Sequence, residues 1–158
     1  MNLTRNIKFK NFILKTPTKK IQNLLSKVLS EKNEVLLSLS KEYKYSYIKK
    51  NIIKFKNYSI INIIGMGGSI LGAKAIYNFL KIKTNKRFFF IDGFRSEDAK
   101  NIAGKKKLNI IISKSGNTLE TIVNSNILIN NKDKNIFITE NKKSYINSLA
   151  QKLKSDII

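Results

Sequence analysis

From Ser59 onward, short apolar segments alternate with helical ones, and this alternation limits the fold more than any other feature of the sequence. The apolar segments are rich in Ile and Phe with almost no polar alternation, as parallel strands covered on both faces are. Four strands are predicted, at Ile60–Ile64, Arg87–Ile91, Leu108–Ile112 and Asn135–Thr139. Helices are predicted near Ile70–Leu80, Ser96–Ile102, Thr118–Asn130 and Ser144–Leu153. Repeated β–α units predict an α/β fold with a doubly wound parallel sheet and right-handed crossovers.

The residues before this region are predicted to form a helical extension. Thr18 follows the only proline, Pro17, and is the predicted N-cap of a helix. Apolar residues then recur at helical spacing, at Ile21, Leu24, Leu25, Val28 and Leu29. A second, weaker helix is predicted from about Tyr43 to Phe55. The predicted organisation is therefore a helical extension over residues 1–57, expected to pack on a domain or a partner subunit, and an α/β domain over residues 58–158.

The last residues, Asp156-Ile157-Ile158, resemble the opening of a fifth strand. A domain seldom ends at such a point, because the edge of its core would be left uncovered. We therefore expect the α/β domain to be incomplete at its C-terminus, so that the chain is either a fragment of a longer protein or is completed by another chain.

The composition excludes several kinds of chemistry. The sequence has no cysteine and no histidine, which rules out disulfides, thiolate chemistry, zinc sites built from these residues and Ser-His-Asp triads. Function must rest on hydroxyls, backbone amides, carboxylates and lysines, and we predict no metal and no cofactor. No apolar run approaches the roughly 20 residues of a spanning helix, and no secretory signal is visible. We therefore predict a cytoplasmic protein without a membrane partner.

The formal net charge of +21 raises the alternative of a nucleic-acid-binding protein. Lys, Ile and Asn are spread evenly along the chain, however, as a genome rich in A and T would produce. No segment interleaves aromatic residues with Arg or Lys in a recognisable nucleic-acid module. We therefore predict no nucleic-acid partner, although a positive field would attract an anionic ligand.

A glycine-rich loop, Gly65-Met66-Gly67-Gly68-Ser69, follows the first predicted strand and precedes a helix. Its glycines allow a ligand to approach the backbone, and the amides at the helix start attract anions. The alternative is a tight β-to-α turn without a ligand. A dinucleotide fingerprint is ruled out because Ile70 stands where a third glycine is needed. A Walker A loop is ruled out because Ala73 and Lys74 follow Gly72.

A serine-rich loop, Ser113-Lys114-Ser115-Gly116-Asn117-Thr118, follows the third predicted strand and also opens a helix. Three hydroxyls and a glycine at a helix start are suited to hold a phosphate dianion, because donors surround its oxygens and the helix dipole favours its charge. The alternative is ordinary capping, in which Thr118 caps the helix and the serines fill a turn. Capping accounts for one hydroxyl well and for three poorly.

The predicted topology brings these two loops together. In a flavodoxin-like strand order of 2-1-3-4-5, strands one and three are neighbours, and their helices leave on opposite faces. Ligands bind at that switch point, beyond the carboxyl ends of the strands. The two loops therefore predict a site for a small phosphorylated ligand.

The same two loops carry a family resemblance. Gly-Met-Gly-Gly-Ser-Ile-Leu-Gly at 65–72 resembles a motif of the phosphoglucose isomerases, and Ser-Lys-Ser-Gly-Asn-Thr-Leu-Glu-Thr at 113–121 resembles their serine-threonine motif. Thr139-Glu140-Asn141 is similar to the end of the family's next strand. The resemblance covers the first sugar isomerase (SIS) domain of that family almost completely, from about Ser59 to Ile158.

The resemblance implies a role for each loop residue. Ser113, Ser115 and Thr118, with the amide of Lys114, would hold the 6-phosphate of glucose 6-phosphate or fructose 6-phosphate. Gly68 and Ser69 would contact the sugar, and Glu120 would lie close to the site. Asn117 and Leu119 occupy positions that vary in the family. Ala73 replaces the usual proline of the motif, a change expected to affect the start of the helix rather than binding.

The family's catalytic residues have no counterpart in this sequence. Phosphoglucose isomerases use a glutamate base, a histidine, a lysine and an arginine, all beyond the fifth strand, so the resemblance assigns no catalytic residue here. The implied function is part of an isomerase of glycolysis and gluconeogenesis, inactive alone and homodimeric at full length. Two alternatives stay open: a stand-alone SIS-type binding or regulatory module for sugar phosphates, and a nucleic-acid-binding protein.

Overall fold

The computed structural model describes residues 18–31, 33–38, 40–94 and 106–158. The chain divides into two compact units, Met1–Tyr45 and Ser46–Ile158. The helix predicted at Ser96–Ile102 lies outside the described residues. Among those residues, no helix is long and apolar enough to cross a membrane.

The first unit contains two helices in its described part, α1 (Lys19–Ser30) and α2 (Glu34–Ser38). Thr18 occupies the predicted N-cap position of α1, but its side chain makes no cap hydrogen bond. The apolar side chains that predicted α1 from their spacing are all exposed: Ile21, Leu24, Leu25, Val28 and Leu29. The helix that the spacing predicted is present, although its apolar side chains are exposed.

The second unit is built on one five-stranded sheet in which all pairs are parallel. Its strands are β1 (Ile60–Gly65), β2 (Arg87–Ile91), β3 (Lys107–Ile112), β4 (Lys134–Ile138) and β5 (Asp156–Ile157). Their order is β2-β1-β3-β4-β5, which confirms the predicted doubly wound topology. The fifth strand has two residues and pairs with β4 through Ile136 and Phe137.

In the described part of the second unit, the helices are α3 (Lys49–Ile53), α4 (Gly68–Leu80), α5 (Leu119–Leu128) and α6 (Tyr145–Lys152), with a 3-10 turn at Lys81–Lys83. The helix predicted over Tyr43–Phe55 is shortened to α3. It begins six residues later and ends two residues earlier than predicted, and the chain turns after Ile53 and buries Phe55 in the core.

Both faces of the sheet bury apolar side chains, as the continuous apolar runs predicted. One core cluster contains Phe55, Ile61, Ile63, Ile70, Leu108 and Ile136. The other contains Ile64, Ile91, Ile111, Phe137, Ile146 and Ala150. Each fully buried Ile or Phe contributes about 1.5–3 kcal/mol relative to an exposed one. Two buried faces hold the strand ends, and therefore the loops that follow them, in fixed register.

A row of buried asparagines crosses the middle of the sheet. Asn62, Asn109 and Asn135 are aligned on β1, β3 and β4. Asn62 Nδ2 donates to Asn109 Oδ1 at 2.8 Å, and Asn109 Nδ2 donates to Asn135 Oδ1 at 2.8 Å. A slip of one residue would move these amides to the other face and leave them buried without partners. The row therefore helps to fix the register that aligns the ends of β1 and β3.

Candidate binding site at the carboxyl edge of the sheet

The two loops singled out in the sequence begin side by side. The glycine loop (residues 65–69) follows β1, the serine loop (residues 113–118) follows β3, and Gly65 is aligned with Ile112 on the neighbouring strand. A Cβ placed on Gly65 would lie 2.9 Å from the carbonyl oxygen of Ile112, so a side chain there would push the strands apart. The structure thus brings both loops to the carboxyl edge of adjacent strands, at the switch point of the sheet.

The glycine loop presents backbone rather than side chains. Gly67, the N-cap of α4, has a φ of 54°, a left-handed conformation that favours glycine. A Cβ on Gly67 or Gly68 would meet nothing within 4 Å, so the space beside both residues is open among the described residues. Ser69 is half-buried in the first turn of α4. A ligand can therefore approach the start of α4 closely.

Three hydroxyls converge in the serine loop. Ser113 Oγ lies 3.2 Å from Thr118 Oγ1, and Ser115 Oγ lies 3.4 Å from the same atom. Ser113 is buried, Thr118 is half-buried and Ser115 is exposed, so the group runs from the core to the surface. The structure brings together the three side chains that the sequence predicted as phosphate ligands.

The two serines also shape the loop that carries them. Gly116 N donates to Ser113 Oγ at 3.1 Å, and Asn117 N donates to Ser115 Oγ at 3.2 Å. In both bonds a serine hydroxyl accepts from an amide two or three residues later, which is the arrangement that the alternative of ordinary capping and turns predicts. Each serine thus orients the loop while its hydroxyl stays beside Thr118.

Thr118 does not behave as that alternative expects. It occupies the N-cap position of α5, with φ −67° and ψ 121°, but its hydroxyl makes no cap hydrogen bond. The first three amides of a helix have no partner within it, and those of Leu119, Glu120 and Thr121 have none among the described residues. The start of α5 is therefore open, with three hydroxyls beside it.

The serine loop is attached on its other side to the start of α6. Tyr145 N donates to Asn117 Oδ1 at 2.9 Å, and Ile146 N donates to the Gly116 carbonyl oxygen at 3.0 Å. Asn147 N donates to Oγ of Ser144, the N-cap residue of α6, at 3.3 Å. In contrast to α5, the first three amides of α6 are all occupied.

Gly116 makes this attachment possible. Its φ is 68°, and a Cβ there would overlap the Ser144 hydroxyl and lie 3.2 Å from Thr139 Oγ1. The sequence indicates a glycine in the loop but not the helix that packs on it. The contact joins residues 28 positions apart, and spacing along the chain carries no signal for it.

Two acidic residues flank the loop. Glu120, half-buried in the first turn of α5, is placed where the helix dipole favours a carboxylate. The Lys114 side chain is 86% exposed and lies 3.7 Å from Glu140 Oε1. Glu140 is paired with Lys142, and that hydrogen bond, with the charges of Lys142 and Lys114, lowers the pKa of the Glu140 carboxyl despite opposing desolvation. The Lys114 side chain thus faces an acidic partner, and its main-chain amide stays the predicted ligand.

A polar cleft of about 760 Å³ lies beside the serine loop, lined by residues that include Thr139, Ser144, Asn147 and Ile158. Ser113, Ser115 and Thr118 do not line it. Their hydroxyls form an open cradle at the edge of the sheet. Among the described residues, no group of three or more acidic side chains could hold a metal ion.

Comparisons with known proteins agree with this fold. No protein-family model matches the chain. It is 42% identical to the glucose-6-phosphate isomerase of Methanocaldococcus jannaschii over 108 residues, 60% of this chain and 27% of that protein. It is 37% identical to the glucose-6-phosphate isomerase of Borrelia garinii subsp. bavariensis over 121 residues, 70% of this chain and 22% of that one. The chain therefore spans about a quarter of the length of these relatives.

A solved structure gives the same fold at low identity. The Vibrio vulnificus NanR protein, complexed with ManNAc-6P, superposes with a TM-score of 0.57 at 16% identity and covers 89% of this chain and 50% of that one. The fold class is the α/β fold with a doubly wound parallel sheet that the sequence predicted. Within that class, the chain is similar in sequence to one part of the glucose-6-phosphate isomerases, which confirms the resemblance found in its two loops.

Proposed function

We propose that this chain binds the phosphate of a sugar phosphate in the serine loop, as the phosphate-binding part of a glucose-6-phosphate isomerase. The observation that carries the proposal is the open start of α5, where the hydroxyls of Ser113 and Ser115 lie beside the N-cap residue Thr118 and the first helix amides have no partner among the described residues. A phosphate dianion needs several donors at once, and helix amides and hydroxyls supply them without a metal.

The proposal gives each group a role. The amides of α5 and the hydroxyls of Ser113, Ser115 and Thr118 hold the phosphate, together with the amide of Lys114. Gly68 and Ser69 contact the sugar, because the glycine loop lies beside the serine loop and leaves open space at the start of α4. Glu120 keeps its carboxylate on the rim of the site. The net charge of +21 increases the rate at which an anionic ligand arrives.

Catalysis requires groups that this sequence does not contain. Interconversion of glucose 6-phosphate and fructose 6-phosphate begins with opening of the sugar ring, for which the phosphoglucose isomerases use a histidine, and this sequence has none. The relatives are about four times as long as the matched segment. We therefore assign binding to these 158 residues and isomerisation to a longer protein that includes them.

Titration calorimetry of the chain tests whether it binds sugar phosphates. We expect heat with 6-phosphogluconate and with fructose 6-phosphate, and none with gluconate, which lacks the phosphate. Equal heats with gluconate and 6-phosphogluconate would contradict phosphate recognition. The absence of heat with every ligand would contradict the proposal as a whole.

A second measurement tests whether the chain alone isomerises the sugar phosphate. Glucose 6-phosphate is incubated with the chain alone, and fructose 6-phosphate is followed by nuclear magnetic resonance (NMR). We expect binding without conversion. Conversion by the chain alone would overturn the assignment of catalysis to other residues.

A further inference from the structure

We infer that Asn117 is a positioning residue: by capping α6 through its side chain, it holds the serine loop in the form that leaves the start of α5 open. The inference rests on the proposed phosphate site and adds a residue to which the family resemblance gives no role. Asn117 is exposed and immediately precedes Thr118, so it lies between the two helix starts.

Three contacts carry the inference. The side chain of Asn117 accepts a hydrogen bond from Tyr145 N at 2.9 Å, while its main-chain amide donates to Ser115 Oγ at 3.2 Å. The adjacent Gly116 carbonyl accepts from Ile146 N at 3.0 Å. One residue therefore couples the position of a proposed ligand hydroxyl to the start of a different helix.

The direction of these bonds determines which helix start is free. A carbonyl oxygen of an Asn side chain is a good helix cap because it replaces the missing acceptor for an early amide. Here that acceptor comes from the loop before α5 and caps α6. The Asn117 side chain is therefore engaged with α6, and Thr118 is left at the N-cap position of α5 without a cap hydrogen bond.

Loss of the cap should loosen the loop rather than remove a ligand. In Asn117→Ala, the amide of Tyr145 loses its acceptor and the link to α6 is reduced to Gly116 and the packing of Ser144. We expect the affinity for inorganic phosphate and for 6-phosphogluconate to fall about fivefold, as expected when one capping interaction is lost. The Tyr145 amide resonance should shift, and its hydrogen exchange should accelerate.

Asn126→Ala is the matched control. Asn126 Oδ1 accepts a hydrogen bond from the Tyr145 hydroxyl at 3.0 Å, so it also links α5 to Tyr145, but among the described residues it makes no hydrogen bond to the serine loop. We expect this variant to bind phosphate like the unchanged chain. An equal loss of affinity in both variants would overturn the inference, because any weakened contact between α5 and α6 would then have the same effect.

Asn117→Ser keeps the inference testable if Asn117→Ala does not fold. Serine keeps a polar side chain at this exposed position, but its hydroxyl ends one bond short of the position of Asn117 Oδ1 and so does not replace the acceptor for Tyr145 N. The phosphate affinity of Asn117→Ser should therefore fall as it does in Asn117→Ala. If the parent chain binds phosphate and Asn117→Ala or Asn117→Ser binds it with the same affinity, the positioning role of Asn117 is overturned and the proposed function is not. An absence of binding by the unchanged chain would instead contradict the proposed function.

Discussion

The helices α5 and α6 begin at the same edge of the sheet, after the neighbouring strands β3 and β4. Each is preceded by a hydroxyl residue at its N-cap, Thr118 for α5 and Ser144 for α6. The Ser144 side chain accepts from the helix, whereas the Thr118 side chain makes no cap hydrogen bond and lies beside two serine hydroxyls instead. The same residue class therefore caps one helix start and leaves the other without a cap hydrogen bond, where we propose that the phosphate binds.

The largest expected effect comes from Gly116, which separates the two helix starts. Gly116→Ala should lower the free energy of unfolding by about 2–4 kcal/mol, because it adds a Cβ at positive φ and against Ser144. Chemical denaturation measures the change. In the matched control Gly72→Ala, the new Cβ meets nothing within 4 Å, and stability should stay unchanged or rise by up to about 1 kcal/mol. Equal losses in both variants would show that Gly116 has no special packing role.

Thr118→Val should weaken binding of 6-phosphogluconate by about 1–3 kcal/mol, because a hydrogen bond to a charged group is lost. The free energy of unfolding should fall by no more than about 1 kcal/mol, since the contacts of the hydroxyl with Ser113 and Ser115 are lost but no cap is removed. Calorimetry and denaturation together check both parts. Thr84→Val, at a half-buried threonine outside the two loops, controls for the loss of a hydroxyl. Unaltered affinity with reduced stability would mean that Thr118 is a cap after all.

Ser144→Ala should show the opposite pattern. The variant loses the acceptor for Asn147 N, and its free energy of unfolding should fall by about 1 kcal/mol. Phosphate affinity should be nearly unchanged, because the amides of α6 are already occupied and face the loop rather than a ligand. A loss of affinity larger than that of Thr118→Val would reverse the assignment of the two helix starts.

Glu140→Gln should have the smallest effect. The lowered pKa of Glu140 means that the folded state favours its carboxylate, so the stabilisation is present at neutral pH and is lost as the pH falls through that lowered pKa. The Glu140 side chain is exposed, which keeps the contribution small. Unfolding followed from neutral to acid pH should therefore be slightly less pH-dependent in the variant. A steeper pH dependence of unfolding in Glu140→Gln would contradict the lowered pKa of Glu140.

The sheet was predictable because its signal is local. Runs such as Ile60–Ile64 and Leu108–Ile112 have the apolar character of strands with two buried faces, and the two loops after them lie at the edge where we propose that the ligand binds. Asn62, Asn109 and Asn135 were not recognised as a buried row, since each is only a polar interruption until the register places them together.

The limits at the site have a similar cause. Ser113, Ser115 and Thr118 were identified from one contiguous motif. The role of Asn117 depends on Tyr145, which is distant in sequence and reaches the loop only after β4 and α6 are in place. For the same reason, the sequence could propose capping by Thr118 but could not show that its hydroxyl turns to the serines.

The difference between the two helix starts can be measured directly in one NMR titration of the amides with 6-phosphogluconate. The account predicts saturable shifts at Leu119, Glu120 and Thr121, with much smaller changes at Tyr145, Ile146 and Asn147. Shifts concentrated at the three amides of α6, or none at the start of α5 under conditions where calorimetry detects binding, would contradict it.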